Sequence, residues 1–493
     1  MTSQFHLDQN QTPLLAMLEV CRDRSYAAFH TPGHRRGRGI SARLAALCGD
    51  RVFRADLPEL PELDNLFAPE GVIRQAQELA AATFGAEQTW FLVNGSTAGV
   101  EAALLATCKP GEKLILPRNV HRSAISGLTL SGAIPIFVYP DYDPVLDLAH
   151  SITPEAIATA LDQHSDARAV LMVSPTYYGT CGNVAAIAHL THQHGIPLIV
   201  DEAHGAHFAF HPDLPTPALA SGADLVVQST HKTLTALTQT AMLHVQGDRL
   251  DRDRLTQAIA LVQSTSPNYL LLASLDAARH QMATEGQARW SETLQLADEA
   301  RSRLSQIPGL SLLHPEQAIT PGFVDLDLTR LTITVTDLGI DGFTADTLLH
   351  TQLGVTAELP TLQHLTFITG LGNTQADIDR LVTAFEQMAQ GKSPKAQDNS
   401  KLKIQNPKFQ PQHPALSPRE VFFAVAETLP IHDCVHRISA ELVCPYPPGI
   451  PVLIPGEVIT KEAIAHLQEI LALGGVISGC ADPSLQTLKI VKT

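Results

Sequence analysis

The sequence predicts an α/β fold built on a mostly parallel sheet, followed by a smaller α/β unit and a C-terminal α+β unit. Three observations carry that prediction. Short apolar runs at Trp90–Val93, Leu114–Leu116, Ile134–Val138, Ala169–Val173, Leu198–Val200 and Leu225–Val227 alternate with helical patterns, an order that implies parallel strands joined by right-handed crossovers. Two of the runs end on polar residues, Asp201 and Glu202 in one case and Gln228, Ser229, Thr230, His231 and Lys232 in the other. A polar, lysine-rich stretch at 391–415, almost free of apolar clusters, reads as a linker.

Taken in order, Leu14, Leu15, Met17, Leu18 and Cys21 have helical spacing after Pro13, and Phe29–Gly37 is a turn dense in cations that suits a lid or an anion contact. Asp56, Glu59, Glu62 and Asp64 then put four carboxylates among prolines, where they lie over a pocket for a cation or form a solvated face. From Val72 a helix with an apolar stripe at Ile73, Ala76, Leu79, Ala80 and Phe84 closes on Gly85. The strand at 90–93 leads through Asn94-Gly95-Ser96-Thr97-Ala98-Gly99 into a helix, so backbone N–H groups, hydroxyls and a helix dipole converge on an anion site. His121 follows the strand at 114–116, where it either stacks on a flat ring or is merely hydrogen-bonded, and Thr153-Pro154 starts a helix. After a strand at 241–245 and a polar loop, Gln263–Tyr269 precedes a long helix to about Gln306. Leu331–Val335 opens the smaller unit, whose last helix runs from Gln375 to Met388, and Ser417 caps a helix beyond the linker. The divisions expected are 1–65 (N-terminal helix and loop), 66–310 (large domain), 311–390 (small domain), 391–415 (linker) and 416–493 (C-terminal domain).

Composition narrows the function classes. A net charge of −16 over 493 residues argues against nucleic acid or an anionic membrane as partner and suits a cationic substrate. Seven scattered cysteines lack metal-type spacing and read as reduced thiols of a cytoplasmic protein, with no metal site expected. No export leader or membrane-spanning run is visible.

Open α/β sheets bind ligands outside the carboxyl ends of their strands. A carboxylate on one such end and a lysine flanked by hydroxyls and a histidine on the next are the parts that hold pyridoxal phosphate: Lys232 condenses with the aldehyde and Asp201 faces the pyridine nitrogen. A charge pair about 4 Å apart at an effective dielectric near 20 is worth roughly 4 kcal/mol, enough to keep that nitrogen protonated near neutral pH.

The segments FHTPGH, NGSTAG, RNVHRS, VDEAHGAHF, STHK, STSPNYLLLASLD and PYPPGIP with PGE occur in that order. The chain thereby resembles, over roughly residues 10 to 490, the ornithine, lysine and arginine decarboxylases of the aspartate-aminotransferase fold, PLP fold type I. The resemblance implies Lys232 as the Schiff-base lysine, Asp201 as partner of the ring nitrogen and His121 as the stacking residue. It implies Ser96, Thr97, Ser229 and His231 around the phosphate and His204 close to the imine and the substrate carboxylate. Ser264, Thr265 and Ser266 resemble the segment that closes the site at a subunit interface, and the family's shared sites imply at least a homodimer. Long members carry a wing before FHTPGH, where about 28 residues stand here. Arg122 stands where lysine is usual, and Leu57-Pro58-Glu59 where a threonine often precedes the glutamate.

Decarboxylation of a basic amino acid is the expected reaction, with arginine preferred and lysine or ornithine as alternatives. Lys232 or His204 would return a proton to Cα. The distal cation needs a carboxylate, for which Glu59, Asp64, Glu358 and Glu457 are the candidates. Two rivals are an aminotransferase or lyase, which would need an arginine on the α-carboxylate that the sequence does not place, and a non-catalytic regulatory homologue.

Overall fold

Seven runs of four or five residues, nearly all apolar and buried, form the central sheet of the computed structural model, which describes residues 7–391, 414–446 and 450–492. They are β1 (Gln88–Leu92), β2 (Lys113–Pro117), β3 (Ile134–Val138), β4 (Ala169–Val173), β5 (Leu198–Asp201), β6 (Leu225–Gln228) and β7 (Ala241–Val245). Their order across the sheet is β1-β7-β6-β5-β4-β2-β3. Pairing is parallel from β6 to β3, as near-continuous apolar runs buried on both faces require. Only β7 runs against its neighbours. Residues 229–240, which join β6 to β7, hold a single helical turn at Thr230–Thr233 and turn back along the same edge, so the return strand is antiparallel.

The helices at Pro13–Asp23, Val72–Phe84, Pro154–Gln163 and Val184–Gln193 form where spacing and caps predict them; Thr153 and Asn183 accept the N–H groups of Ala156 and Ala186. Two stretches differ from expectation. The glycine-rich turn after β1 is already helical from Gly95, and the stretch read as a polar loop after β7 contains a helix, Arg252–Val262. Asp251 caps it, and Leu255, Ala258 and Ile259 join the core beside Ala103 and Leu104, a short stripe that follows the charged run 251–254. Gly99 has a steric reason: a Cβ there would lie 2.7 Å from Val227 and 2.8 Å from Leu92. Its absence lets the helix Gly95–Thr107 press onto the sheet with its N-terminus at the strand ends.

The 36-residue helix Tyr269–Leu304 spans two cores. Its first half packs with Leu14, Leu63 and Phe91, and its last turns, through Ala300 and Leu304, cover a second sheet. That sheet is wholly antiparallel, built from Ser311–Leu312, Arg330–Thr334, His364–Ile368 and Leu359–Pro360, with Ile378, Leu381, Val382 and Phe385 of the helix Gln375–Ala389 against it. Beyond it, Ala426–Pro430 pairs with Thr487–Val491, and helix Lys461–Ala472 helps close a separate core. The expected linker falls almost wholly outside the described residues, as do Pro447, Pro448 and Gly449 of the proline-fixed turn. Among the described residues no helix is long and apolar enough to cross a membrane.

Candidate active site

The parallel pairing of β5 with β6 brings the ends bearing Asp201 and Lys232 side by side, Asp201 lying opposite Val227 in the register. Asp201 and Glu202 then point to different tasks. Glu202 is buried with Oε1 accepting the Ala218 N–H at 2.8 Å and Oε2 the Gln228 amide at 2.7 Å, so it ties the two strand ends together. Asp201 is also buried, yet the hydrogen bond described at its carboxylate is the Ala203 N–H at 3.2 Å. Burial pushes its pKa up, against the pull of Lys232. A buried carboxylate so thinly satisfied fits a cationic partner supplied by a ligand.

Lys232 lies in the helical turn that Ser229 begins, and burial lowers its pKa; Asp201 and Glu358 act to raise it and Arg330 to lower it further. Its Nζ is 3.0 Å from His204 Nε2 and 5.7 Å from the Tyr177 ring centre, within cation–π range. His204 is held from the other side by Arg330, whose Nη2 donates to His204 Nδ1 and to its carbonyl oxygen, both at 3.1 Å. Burial, then the Lys232 and Arg330 charges, hold the His204 pKa well below its usual value, so the ring is neutral.

Arg330 is the residue that sequence reasoning missed. It is 1 % exposed, its Nε lies 3.4 Å from Asp327 Oδ2, and neither Nε nor Nη1 has a hydrogen-bond partner. Gly179, at φ +91°, makes room: a Cβ there would sit 2.7 Å from Arg330 Cγ. A buried arginine with unpartnered donors that the sequence did not place therefore stands behind His204, so the lack of one is no argument against an aminotransferase. A lone arginine heading an apolar strand, 126 residues from His204, carries no local signal.

The remaining predicted residues divide. Ser229 Oγ donates to Ser96 Oγ at 2.7 Å, which joins the end of β6 to the N-terminus of the helix Gly95–Thr107, with Thr97 exposed in the same turn. His231 Nδ1 donates to the Thr240 carbonyl at 2.7 Å. His121 caps the helix Arg122–Ser131 through the Ser123 N–H, and burial, then Lys232, lower its pKa to about 4, leaving a neutral ring. Ser264, Thr265 and Ser266 are exposed, but neighbouring Gln263 accepts the Val93 N–H at 2.8 Å and so anchors their loop beside the glycine-rich turn. Together these groups fit pyridoxal phosphate: a desolvated amine, a thinly satisfied carboxylate, and hydroxyls at a helix N-terminus for a phosphate.

Among the four acids considered for a distal cation, only Glu358 acts on Lys232. Asp64 instead accepts the N–H groups of Asn65, Glu70, Gly71 and Ile73, anchoring the start of the helix Val72–Phe84. Glu59 is exposed and bonds Asn65, Glu62 pairs with Arg24, and Asp56 with His34, so the acidic segment holds its own fold within the chain. Glu457 is taken by Arg118 in a buried two-point pair, at 3.0 and 2.8 Å, which docks the C-terminal unit against the end of β2.

Comparison with known proteins agrees with this geometry. Residues 12–376 match the model of the Orn/Lys/Arg decarboxylase major domain, and 397–477 that of the Orn/Lys/Arg decarboxylase C-terminal domain. The chain is 39% identical over 484 residues to an arginine decarboxylase of Halalkalibacterium halodurans, covering 98% of each chain. It is 38% identical over 488 residues to an arginine decarboxylase of Bacillus subtilis, covering 99% of each. The crystal structure of the Francisella novicida lysine decarboxylase LdcF has the same fold, with a TM-score of 0.83 at 23% identity over 98% of this chain and 81% of that one. The central sheet is that of the fold type I enzymes, and the chain belongs to the Orn/Lys/Arg decarboxylase family.

Proposed function

We propose that the protein converts L-arginine to agmatine and CO2 with pyridoxal phosphate on Lys232, as a cytoplasmic homodimer or larger homo-oligomer serving polyamine synthesis. The observation that carries the reaction is the buried Lys232–His204–Arg330 chain beside Asp201; relatives named arginine decarboxylase, alike over nearly their whole length, support the substrate. The domain division at 66–310, 311–390 and 416–493 belongs to the same proposal.

Bound there, the cofactor supplies an aldehyde that captures the substrate amine and a conjugated ring that accepts the electrons left when CO2 departs. Everything else is work for the chain. Asp201 would face the ring nitrogen and hold a proton there, an interaction that burial strengthens. His121 would be the residue to stack on the ring, and Ser96, Thr97, Ser229 and His231 would hold the phosphate at the helix N-terminus. Arg330, with Nη1 unpartnered, binds and orients the substrate carboxylate. Glu358, exposed and near enough for its charge to act on Lys232, takes the distal guanidinium, in a chain whose net charge is −16. After CO2 leaves, the Lys232–His204 pair returns the proton to Cα.

The deciding experiment supplies arginine, lysine and ornithine separately to the cofactor-loaded protein and measures CO2 and amine. Agmatine from arginine is the expected product. Cadaverine or putrescine would move the substrate and keep the mechanism, and no CO2 from any of the three would refute the decarboxylase reading.

A further inference from the structure

We infer that Arg330 is a positioning residue for Lys232: by donating to His204 Nδ1 it confines the imidazole proton to Nε2, and Nε2–H then holds Lys232 as the free amine. The inference deepens the proposed function, because a free amine is the form that captures an aldehyde.

The argument is one of donors and acceptors. A guanidinium has only donors, so the 3.1 Å contact makes Nδ1 an acceptor. A neutral imidazole carries one proton, which must then sit on Nε2. Nε2 faces Lys232 Nζ at 3.0 Å, and an N–H there needs a lone pair opposite it. An ammonium has none; an amine does. The opposite tautomer would set Nδ1–H against an Arg330 N–H, two donors face to face in a site where neither reaches water.

Arg330 cannot turn aside to relieve such a clash. Its Nη2 also donates to the His204 carbonyl, its Nε faces Asp327, and Gly179 lies against its stem. Asp327 is in turn held by His207 at 3.2 Å, the Thr329 N–H at 3.0 Å and Thr329 Oγ1 at 2.7 Å. Asp327, His207, His204 and Arg330 are all less than 5 % exposed. Burial and the Arg330 charge also favour the amine, Asp201, Glu358 and the face of the Tyr177 ring favour the ammonium, and burial keeps His121 and His231 neutral. The fixed tautomer opposes the two carboxylates. In the capture step the Nζ lone pair attacks the aldehyde carbon and a C=N bond forms. The aldehyde oxygen leaves as water with both amine protons.

The test measures protonation of Lys232 directly, in the full chain freed of cofactor. Trace acetylation by acetic anhydride across pH, read by mass spectrometry on the Lys232 peptide, gives the midpoint at which the amine becomes reactive. Arg330→Met frees the ring to flip and also removes a cation that opposes the ammonium, so the midpoint is expected to rise by about one pH unit, a tenfold loss of reactive amine at pH 7; the His204 variants keep that cation and read the tautomer alone. His204→Gln offers a carbonyl to Arg330 and an amide N–H to Lys232 and is expected to keep the wild-type midpoint, whereas His204→Leu raises it as Arg330→Met does. The Gln and Leu pair carries the test if Arg330→Met does not fold. Unchanged midpoints in Arg330→Met and His204→Leu, or a rise in His204→Gln as large as in His204→Leu, overturn the inference. Addition of pyridoxal phosphate to the wild type is the separate check: no visible band would refute the cofactor reading while leaving the labelling result to stand.

Discussion

Replacing Glu202 by glutamine tests how the two functional strand ends are held together. Glu202 is 1 % exposed, and burial pushes its carboxyl from 4.5 up to about 8, against the opposing pull of the Gln228 amide and the Ala218 N–H. A protonated Glu202 needs an acceptor opposite its O–H, and Gln228 supplies one by turning its amide over: Gln228 Nε2 then donates to His244 Nε2, 3.1 Å from the Gln228 amide, and His244 Nδ1–H to Thr89 Oγ1 at 2.8 Å. A carboxyl whose folded pKa lies above its unfolded one contributes fully below the unfolded value and loses that contribution as pH rises through the folded one. Each pH unit between them costs about 1.4 kcal/mol, so the wild type forfeits about 5 kcal/mol between pH 4.5 and 8. Glutamine has the same shape and cannot ionise. Glu202→Gln should therefore match the wild type near pH 4.5 and exceed it by about 2 kcal/mol at pH 6 and about 3 kcal/mol at pH 7. Urea unfolding at a series of pH values, followed by fluorescence of the buried Trp90 and Trp290, measures that margin. A margin that does not change with pH, or a variant less stable than wild type at pH 8, would refute the reasoning.

Four further outcomes follow from the same structure. Asp201→Asn removes a charge worth roughly 4 kcal/mol at the ring nitrogen, so turnover by the loaded enzyme should fall about a thousandfold, with an altered visible spectrum. Arg118→Met strands Glu457 in the interior and should cost about 3–5 kcal/mol; adding Glu457→Met should restore most of it, as a double-mutant cycle in urea would read. Asp64→Ala deprives the start of the helix Val72–Phe84 of its acceptor and should lower stability by about 2 kcal/mol, measured by the denaturation midpoint. Gly99→Ala drives a methyl to 2.7 Å from Val227 and should cost about 1–3 kcal/mol in the same assay, with weaker binding of pyridoxal phosphate as the helix N-terminus backs away.

The sequence by itself determined the strands, most helices and the two strand ends that carry Asp201 and Lys232. Those features are local: an apolar run, a cap or a glycine stop acts within one turn or one pleat of its own residue, and parallel crossovers bring successive strand ends to one edge. The helix Arg252–Val262 was hidden because its stripe is short and follows a run of charges at 251–254. What tertiary structure alone decided are the partners of buried polar groups. Asp56, Glu59, Glu62, Asp64 and Glu457 look equally free as letters, yet Asp64 anchors a helix and Glu457 meets Arg118 across 339 residues. Arg330 reaches His204 across 126 residues, from a different sheet. A buried charge must find whatever opposite charge or acceptor the folded chain brings within about 3 Å, and that choice depends on packing at a distance that no local pattern encodes.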